Sequence, residues 1–241
     1  MPRRAILVLV LCVCATVARA HRICLGVSDT CSVEEDGSVL CWGSNTYGRL
    51  GDGTLENKVK PNPVSEIDSA TSVACGTTHS CASLMDGTVK CWGYNGSKQL
   101  GLGTDTLDKL VPTAVPGLSD VTSVSAGEYH SCALLKDGTI KCWGYNRNGQ
   151  IGVGSSENSI STPTAVSSIT TATSLGVGMS HTCAVLLSGG VLCWGKNDNG
   201  QLGDGTTTNR LTSTPVSGIN SATSVGAGNF HTCAPFCRAV E

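Results

Sequence analysis

The chain has 241 residues, a formal net charge of −2 at pH 7 and only 14% charged residues. So little charge argues against a disordered chain and against a nucleic-acid binder with a dominant basic face. Glycine is frequent, with 30 residues, whereas large aromatic residues are few, and this balance favours many short strands joined by tight turns over long helices.

The first segment of the chain has the pattern of a secretory signal peptide. Arg3 and Arg4 form a basic start, residues 5–17 form an apolar run too short to span a bilayer comfortably, and residues 18–20 read Ala-Arg-Ala. We therefore expect a signal peptide at 1–20, a mature chain that begins at His21, an extracellular protein and no membrane span after signal removal. The alternative is a short buried strand at the start of the domain, which would leave the protein in the cytoplasm.

A repeated motif follows, Cys-Trp-Gly-x-Asn with Leu-Gly or Ile-Gly shortly after it. It occurs four times and uses all four tryptophans of the chain, which are Trp42, Trp92, Trp143 and Trp194. Their separations are 50, 51 and 51 residues, and a fixed period of this length indicates stacked copies of one supersecondary unit. The predicted units are 21–67, 68–118, 119–169, 170–219 and a partial fifth at 220–241.

Each complete copy also contains two cysteines ten residues apart with a turn signal between them. In the third copy, a three-residue loop at 136–138 with Gly138 in the left-handed region would place Leu135 opposite Thr139. Cys132 then faces Cys142, and opposed residues have Cβ atoms about 4.5–5.5 Å apart, close to what a disulfide needs. The sequence therefore predicts four hairpins, each with its own disulfide: Cys31–Cys41, Cys81–Cys91, Cys132–Cys142 and Cys183–Cys193.

The cysteine count agrees with an oxidising compartment. Two of the 14 cysteines lie in the predicted signal, which leaves an even number. Cys24 and Cys75 hold similar places ahead of their hairpins, so a bridge between units is one hypothesis. Cys233 would pair ten residues further on, past the last residue, so the sequence looks cut off within the fifth unit, and pairing of Cys233 with Cys237 is a second hypothesis.

The rest of each unit completes a small antiparallel sheet. A strand of small residues precedes each hairpin and suits a crowded axis where copies converge. Proline-containing segments follow each Leu-Gly and belong at strand starts or outer edges, because proline cannot donate to a ladder. The prediction is an all-β fold, a β-propeller-like array of four-stranded blades with four blades and a partial fifth. The sequence leaves open whether the ring closes and whether two chains complete one.

The motif between Gly127 and Gly152, which includes His130-Ser131-Cys132-Ala133 and Cys142-Trp143-Gly144, resembles the regulator of chromosome condensation repeat family. The resemblance covers nearly all of 24–234, and the paired cysteines resemble the secreted, cysteine-rich versions of the repeat. It implies a β-propeller, usually of seven blades. This chain departs from the pattern at Asp29, where later copies have histidine, and at Lys98, where other copies have glycine.

Two repeated residue types are candidates for chemistry. His79, His130, His181 and His231 each stand two residues before a hairpin cysteine. His79, Cys81 and Cys91 could offer three ligands to a metal, but structural zinc needs four and the cysteine spacing is that of a hairpin. We expect each histidine to bond backbone in a neighbouring turn, with no metal and no cofactor. The tryptophans could stack on a carbohydrate, but packing between blades is the favoured interpretation.

One further site is a candidate for modification. Asn95-Gly96-Ser97 matches the N-glycosylation pattern. Asn95 is also the motif asparagine that every copy has, and the other copies lack the sequon, so the motif explains the residue without a glycan.

No catalytic constellation accompanies the repeats. The Asp-Gly turns have no second carboxylate at a fixed spacing, and there is no Gly-x-Ser-x-Gly, phosphate loop or His-Glu-x-x-His. We therefore expect a secreted, non-enzymatic module that binds a protein, with no nucleic-acid partner, through loops that vary between copies. These loops are Leu55–Lys60, Thr104–Leu110 and Ser155–Ile160.

Two alternatives stay open. The family resemblance implies guanine-nucleotide exchange on a small GTPase, an activity that in the family relies on an intact ring and an inserted wedge, for which units of this length leave no room. The other alternative is a truncated product without independent activity.

Overall fold

A computed structural model describes residues 22–235. Their regular structure consists of β-strands and one short helical turn. No helix among these residues is long and apolar enough to cross a membrane. The predicted signal segment and Cys237 lie outside the described residues. The strands are β1 (Ile23–Leu25), β2 (Asp29–Val33), β3 (Val39–Gly43), β4 (Lys58–Pro63), β5 (Ala70–Cys75), β6 (His79–Leu84), β7 (Val89–Gly93), β8 (Lys109–Ala114), β9 (Val121–Ala126), β10 (His130–Leu135), β11 (Ile140–Tyr145), β12 (Ser159–Ala165), β13 (Ala172–Val177), β14 (His181–Leu186), β15 (Val191–Gly195), β16 (Arg210–Pro215), β17 (Gly226–Ala227) and β18 (Thr232–Cys233).

The strands form four meanders of four antiparallel strands each. Their orders are β1-β2-β3-β4, β5-β6-β7-β8, β9-β10-β11-β12 and β13-β14-β15-β16, and β17 pairs with β18 alone. We call the four complete sheets blades 1 to 4. The predicted fold class, four blades and a partial fifth, is confirmed, and the sheets are not closed into a ring.

The central hairpin of each blade has the register expected from its turn. In blade 3, Cys132 lies opposite Cys142. Gly138 has φ of 79°, and its N–H donates to the carbonyl of Leu135 at 3.0 Å. The Asp137 carboxylate accepts from the N–H of Thr139 at 2.9 Å, which is why aspartate suits this turn. In all four hairpins the structure joins the two cysteine sulfurs, and their Cα atoms are 4.1 Å apart.

Inner and outer strands differ in composition for a geometric reason. The first strands of the blades, together with β17, line a cavity of about 330 Å³ at the axis, where small side chains let the strands approach. The fourth strands β4, β8, β12 and β16 lie at the outer edges and carry the prolines. The expected small-residue strand in the fifth unit, around 223–226, is mostly absent, since β17 and β18 have two residues each and β18 has no further strand beside it among residues 22–235.

The core lies between blades, where Trp92, Trp143 and Trp194 each contact the blade before their own. Trp143 of blade 3, for example, clusters with Leu100, Val115 and Leu118 of blade 2. Trp92, Trp143 and Trp194 are fully buried, whereas Trp42 is half-buried. Burial of one indole ring at each of these boundaries therefore contributes to holding the blades together.

Candidate functional site: the long-loop face

The array has two unlike faces. At one face each hairpin turns through a short Asp-Gly or Ser-Gly loop. At the opposite face the loop from a first strand to a second strand lies beside the long loop from a third strand to a fourth strand, because those strands are antiparallel neighbours. We call this second surface the long-loop face. Its short loops are 26–28, 76–78, 127–129 and 178–180, and its long loops are 44–57, 94–108, 146–158 and 196–209.

All four tyrosines of the chain lie in one row on this face. The ring centroids of Tyr47 and Tyr94 are 4.8 Å apart, those of Tyr94 and Tyr129 are 6.1 Å apart, and those of Tyr129 and Tyr145 are 6.4 Å apart. The row therefore runs across blades 1, 2 and 3. Tyr47 is 41% exposed and the other three rings are half-buried. We call these four residues the tyrosine row.

The electrostatics of the row favour hydrogen bonding over acid–base chemistry. Burial, and then the charge of Glu128 beside it, raise the pKa of Tyr129, so its hydroxyl keeps its proton at neutral pH. Burial also raises the pKa of Glu128, although the hydrogen bond with Tyr129 and the charge of Lys196 oppose the shift. Rigid rings that end in hydroxyl groups provide apolar contact area and hydrogen bonds together, as recognition surfaces do.

Next to the row, the short loops line a second cavity, which adjoins the cavity at the axis. It has a volume of about 380 Å³, and its lining includes Val27, Thr77, Glu128 and Met179. Much of the remaining wall is glycine. Among residues 22–235, those that line this cavity do not form a grouping of nucleophile, base and oxyanion donor.

The motif asparagines hold the long loops in place. In blade 2 the Asn95 side chain is fully buried; its Nδ2 donates to the carbonyl of Asp105 at 2.7 Å, and its Oδ1 accepts from the N–H of Leu100 at 3.1 Å. The Nδ2 atom that would carry a glycan is thus enclosed and already bonded. The folded structure does not accommodate glycosylation at Asn95, and the residue's role is the one that its motif position indicates.

The three variable loops lie on the long-loop face and run into the outer strands. The first two carry exposed apolar side chains, since Leu55 is 62% exposed and Leu107 is 70% exposed. They add contact area at the outer rim of the tyrosine row. The sequence located these loops, but it did not reveal that the tyrosines lie in one row.

The motif histidines connect neighbouring blades rather than neighbouring turns. His79 Nε2 lies 2.8 Å from the Ser131 hydroxyl of the next blade, and that hydroxyl donates to the carbonyl of Gln99 at 2.8 Å. Since the hydroxyl proton is used there, Nε2 must be the donor, so His79 carries a proton on Nε2. The Trp143 indole N–H donates to the same carbonyl at 2.9 Å. We call this set the latch.

The latch recurs along the array. His130 lies 3.0 Å from the hydroxyl of Thr182, and His181 lies 2.9 Å from that of Thr232. We expected each histidine to bond backbone in a neighbouring turn, and this expectation was wrong. Each ring instead bonds a hydroxyl group across the blade boundary. The signal was present in the sequence: the residue after each motif histidine is always serine or threonine.

The groups around His79 that could have offered metal ligands are engaged in other bonds. Burial, and then Arg49, lower the pKa of His79 to about 3, and burial lowers the pKa of His130 to about 3 as well, so both rings are neutral and are held by their hydrogen bonds to the next blade. The neighbouring Cys81 and Cys91 are bonded to each other. The three sulfurs of Cys24, Cys31 and Cys75 lie within 4.8 Å of one another, but all three are in disulfides.

Blade 1 replaces the histidine with a buried ion pair. The Asp29 side chain is fully enclosed, and Arg49 Nη1 lies 3.6 Å from its Oδ1. Burial raises the Asp29 pKa to about 6 although Arg49 lowers it, because desolvation of the carboxylate outweighs the attraction. Arg49 also donates to the carbonyl of Thr77 at 2.8 Å, so this pair joins blade 1 to blade 2.

The cysteines outside the hairpins are placed as follows. Cys24 of β1 is joined to Cys75 of β5, so this bridge links blades 1 and 2. Cys233 is exposed, and the hypothesis that it pairs with Cys237 lies outside the described residues. His231, which follows the last complete blade, is also exposed.

Comparison with known proteins decides the family. Residues 15–235 match the RCC1-like domain. The chain belongs to this family. The ultraviolet-B receptor UVR8 of Arabidopsis thaliana is 33% identical over 198 residues, 80% of this chain and 44% of UVR8. The human probable E3 ubiquitin-protein ligase HERC4 is 42% identical over 192 residues, 77% of this chain and 18% of HERC4. The chain thus spans less than half the length of either relative.

Solved structures share the fold at low sequence identity. Human WBSCR16 is similar with a TM-score of 0.81 at 22% identity, over 90% of this chain and 57% of that protein. Prp20p of Saccharomyces cerevisiae is similar with a TM-score of 0.77 at 22% identity, over 91% of this chain and 56% of that protein. The CRINKLY WD40 ectodomain of the Arabidopsis thaliana receptor kinase ACR4 gives a TM-score of 0.54 at 17% identity, over 90% of this chain and 59% of that protein.

Proposed function

We propose that this RCC1-like domain is a secreted, non-enzymatic module that binds a protein through its long-loop face. The observation that carries the proposal is the tyrosine row, in which every tyrosine of the chain stands within 6.4 Å of the next. Tyrosine is enriched at protein interfaces because its ring contributes large contact area at a small cost in conformational entropy. A partly exposed row of such rings on a rigid scaffold is therefore suited to protein recognition.

Further features support parts of this proposal. The Prp20p structure was described together with binding to Gsp1p and histones, which are proteins, and ACR4 presents a related fold as an ectodomain. The chain's own basic and apolar start, together with five disulfides in residues 22–235, favours the oxidising compartment. The alternative function is guanine-nucleotide exchange on a small GTPase. That activity would need an inserted segment, which each unit within residues 22–235 lacks.

The test uses protein that a eukaryotic host, given the full sequence with its own leader, secretes into the medium. The first residue of the secreted chain is expected to be His21. The protein is screened against an array of purified extracellular domains. Tyr47→Ser and Tyr145→Ser, at two places in the row, should each weaken any specific interaction by about tenfold or more. The matched controls are Met85→Ser and Leu187→Ser, each 78% exposed on the opposite face.

The controls should bind as the unaltered chain does. Binding that withstands both tyrosine changes, or that is lost with Met85→Ser, would place recognition elsewhere and contradict the proposal. A protein that remains inside the cell with Met1 in place and releases labelled guanine nucleotide from a small GTPase would favour the alternative function.

A further inference from the structure

One carboxylate stands beside the tyrosine row. Glu128 precedes Tyr129 in the short loop of blade 3, and both side chains are half-buried. Among the described residues that line the cavity of about 380 Å³, Glu128 is the only one with an ionisable side chain, since Cys75 is in a disulfide. After burial, the charge of Glu128 is the next cause that raises the pKa of Tyr129, so the two groups are close neighbours. An acid therefore lies where the tyrosine row meets this cavity.

The backbone around Glu128 is fixed between two complete blades. The Glu128 N–H donates to the carbonyl of Met179 in blade 4 at 3.2 Å, and the Glu128 carbonyl accepts from the Thr78 hydroxyl in blade 2 at 3.2 Å. Tyr145 is attached to the same loop, because its N–H donates to the carbonyl of Tyr129 at 2.8 Å. The position of Glu128 is thus set by contacts within blades 2, 3 and 4.

Glu128 has no cation of its own in this part of the chain. Within residues 22–235 it forms no ion pair, and Lys196, whose charge reaches it, is paired with Asp198 at 3.4 Å. Burial has the larger effect on Glu128 and raises its pKa. A carboxylate that loses solvent without gaining a partner is destabilised, so this burial favours binding of a cation from outside.

The neighbouring rings suit the same kind of ligand. The Tyr94 and Tyr145 rings are inclined to the Tyr129 ring by 65° and 69°, so the three rings form walls rather than a flat stack. The face of an aromatic ring carries partial negative charge and attracts a cation placed over its centre. Inclined tyrosine rings beside a carboxylate therefore favour a positively charged group over a neutral or negative one.

We propose that the partner protein places an arginine side chain against Glu128 and the rings of Tyr94 and Tyr129. Arginine fits better than lysine, because its planar guanidinium stacks on aromatic faces and donates two parallel hydrogen bonds to one carboxylate. This inference rests on the proposed function, since it names the chemical group that the long-loop face recognises. Glu128 then supplies the charge, and the tyrosine row supplies the contact area, of one recognition site.

The first test is an NMR titration of the folded chain with N-acetyl-arginine amide. N-acetyl-citrulline amide is the matched ligand, because it has nearly the same shape without the charge. The arginine compound should shift the backbone resonances of Glu128, Tyr129 and Tyr145, the citrulline compound should not, and N-acetyl-lysine amide should bind more weakly than the arginine compound. Equal shifts with citrulline, or lysine binding at least as tight as arginine, would overturn the proposal.

The second test asks whether Glu128 and the rings cause the binding. Glu128→Gln keeps the shape of the side chain and should weaken binding of the arginine compound by about tenfold, while Tyr129→Leu should weaken it by about threefold. The control Glu157→Gln removes an exposed carboxylate from the long loop of the same blade and should bind as the unaltered chain does. Binding that withstands Glu128→Gln, or that falls equally with Glu157→Gln, would overturn the proposal.

The third test separates this inference from the proposed function. A partner from the array of extracellular domains should lose affinity with Glu128→Gln as it does with Tyr47→Ser and Tyr145→Ser. If the two tyrosine changes abolish binding and Glu128→Gln leaves it unchanged, the proposed function stands and the arginine site is overturned. If the arginine compound binds through Glu128 while no extracellular domain binds the face, the arginine site is supported without the proposed function.

Discussion

At the scale of single residues, the latch hydroxyls have the clearest energetic role. Ser131 is almost fully buried, accepts from His79 and donates to the carbonyl of Gln99. Ser131→Ala would leave the buried Nε2–H of His79 without an acceptor, and an unpaired buried donor costs roughly 1–3 kcal/mol. We expect the free energy of unfolding, measured by urea denaturation, to fall by that amount.

The matched control is Ser131→Thr. Threonine occupies the equivalent place at Thr182 and keeps the hydroxyl, so most of the stability should return. If the alanine and threonine variants were equally stable, the loss would come from altered packing and the hydrogen-bonded latch would not be its cause.

Single residues were the level at which the sequence was least informative. The repeat identified the histidines, but their partners lie about fifty residues away in the next blade, and a period shows which positions are equivalent without showing which ones touch. The tyrosine row was missed for the same reason, because Tyr129 precedes a motif histidine while Tyr94 and Tyr145 follow motif tryptophans. Their convergence depends on how the blades pack.

At the scale of elements, the disulfides fall into two classes that differ in loop length. A hairpin bridge such as Cys132–Cys142 spans 10 residues, whereas Cys24–Cys75 spans 51 residues and joins two blades. In the chain-entropy model the longer loop restricts the unfolded state more, giving about 4 kcal/mol against roughly 2–3 kcal/mol. Replacing Cys24 and Cys75 together by alanine should therefore destabilise the protein more than replacing Cys132 and Cys142.

Urea denaturation of the two double variants gives the comparison, after a non-reducing peptide map has established the pairing in the unaltered protein. A smaller loss for the Cys24 and Cys75 variant would show that blade 1 is held mainly by its ion pair and core. A map with Cys24 and Cys75 unlinked would contradict the bridge itself.

Elements were predicted better than residues because hairpins depend on local signals. The Asp-Gly turn sets the register, and the register places Cys132 opposite Cys142. The same reasoning put prolines on the outer strands. It was wrong for the small-residue strand predicted at 223–226, of which only Gly226 lies in a strand, together with Ala227. A strand needs neighbours to pair with, and among residues 22–235 β17 has only the two-residue β18.

At the scale of the whole molecule, the latches should make stability depend on pH. Burial lowers the pKa of His79 and His130 to about 3 and of His181 to about 4, from an ordinary value of 6.5. Below pH 6.5 the unfolded chain binds protons at these positions and the folded chain does not, so stability is lost as the pH falls from about 6.5 toward 4.

Asp29 acts in the opposite direction. Its pKa is raised to about 6 from 3.8, so between these values the folded chain binds a proton that the unfolded chain lacks, and the stability from this group is gained on acidification and lost as the pH rises through 6. Three histidines against one aspartate leave a net uptake of about two protons on unfolding near pH 5. At about 1.4 kcal/mol per proton and pH unit, these four groups should lower the free energy of unfolding by roughly 2–3 kcal/mol between pH 6 and pH 5.

Denaturant titrations at pH 6 and pH 5 measure this difference directly, and His130→Gln identifies its source. Glutamine can still donate to the Thr182 hydroxyl but does not titrate, so the variant should lose about 1 kcal/mol less than the unaltered chain over the same interval. The same loss in both proteins would mean that His130 is not neutral in the fold. Because the His130 latch joins blades 3 and 4, a smaller loss in the variant would indicate that a boundary between blades, where the core of this molecule lies, supplies part of the acid sensitivity.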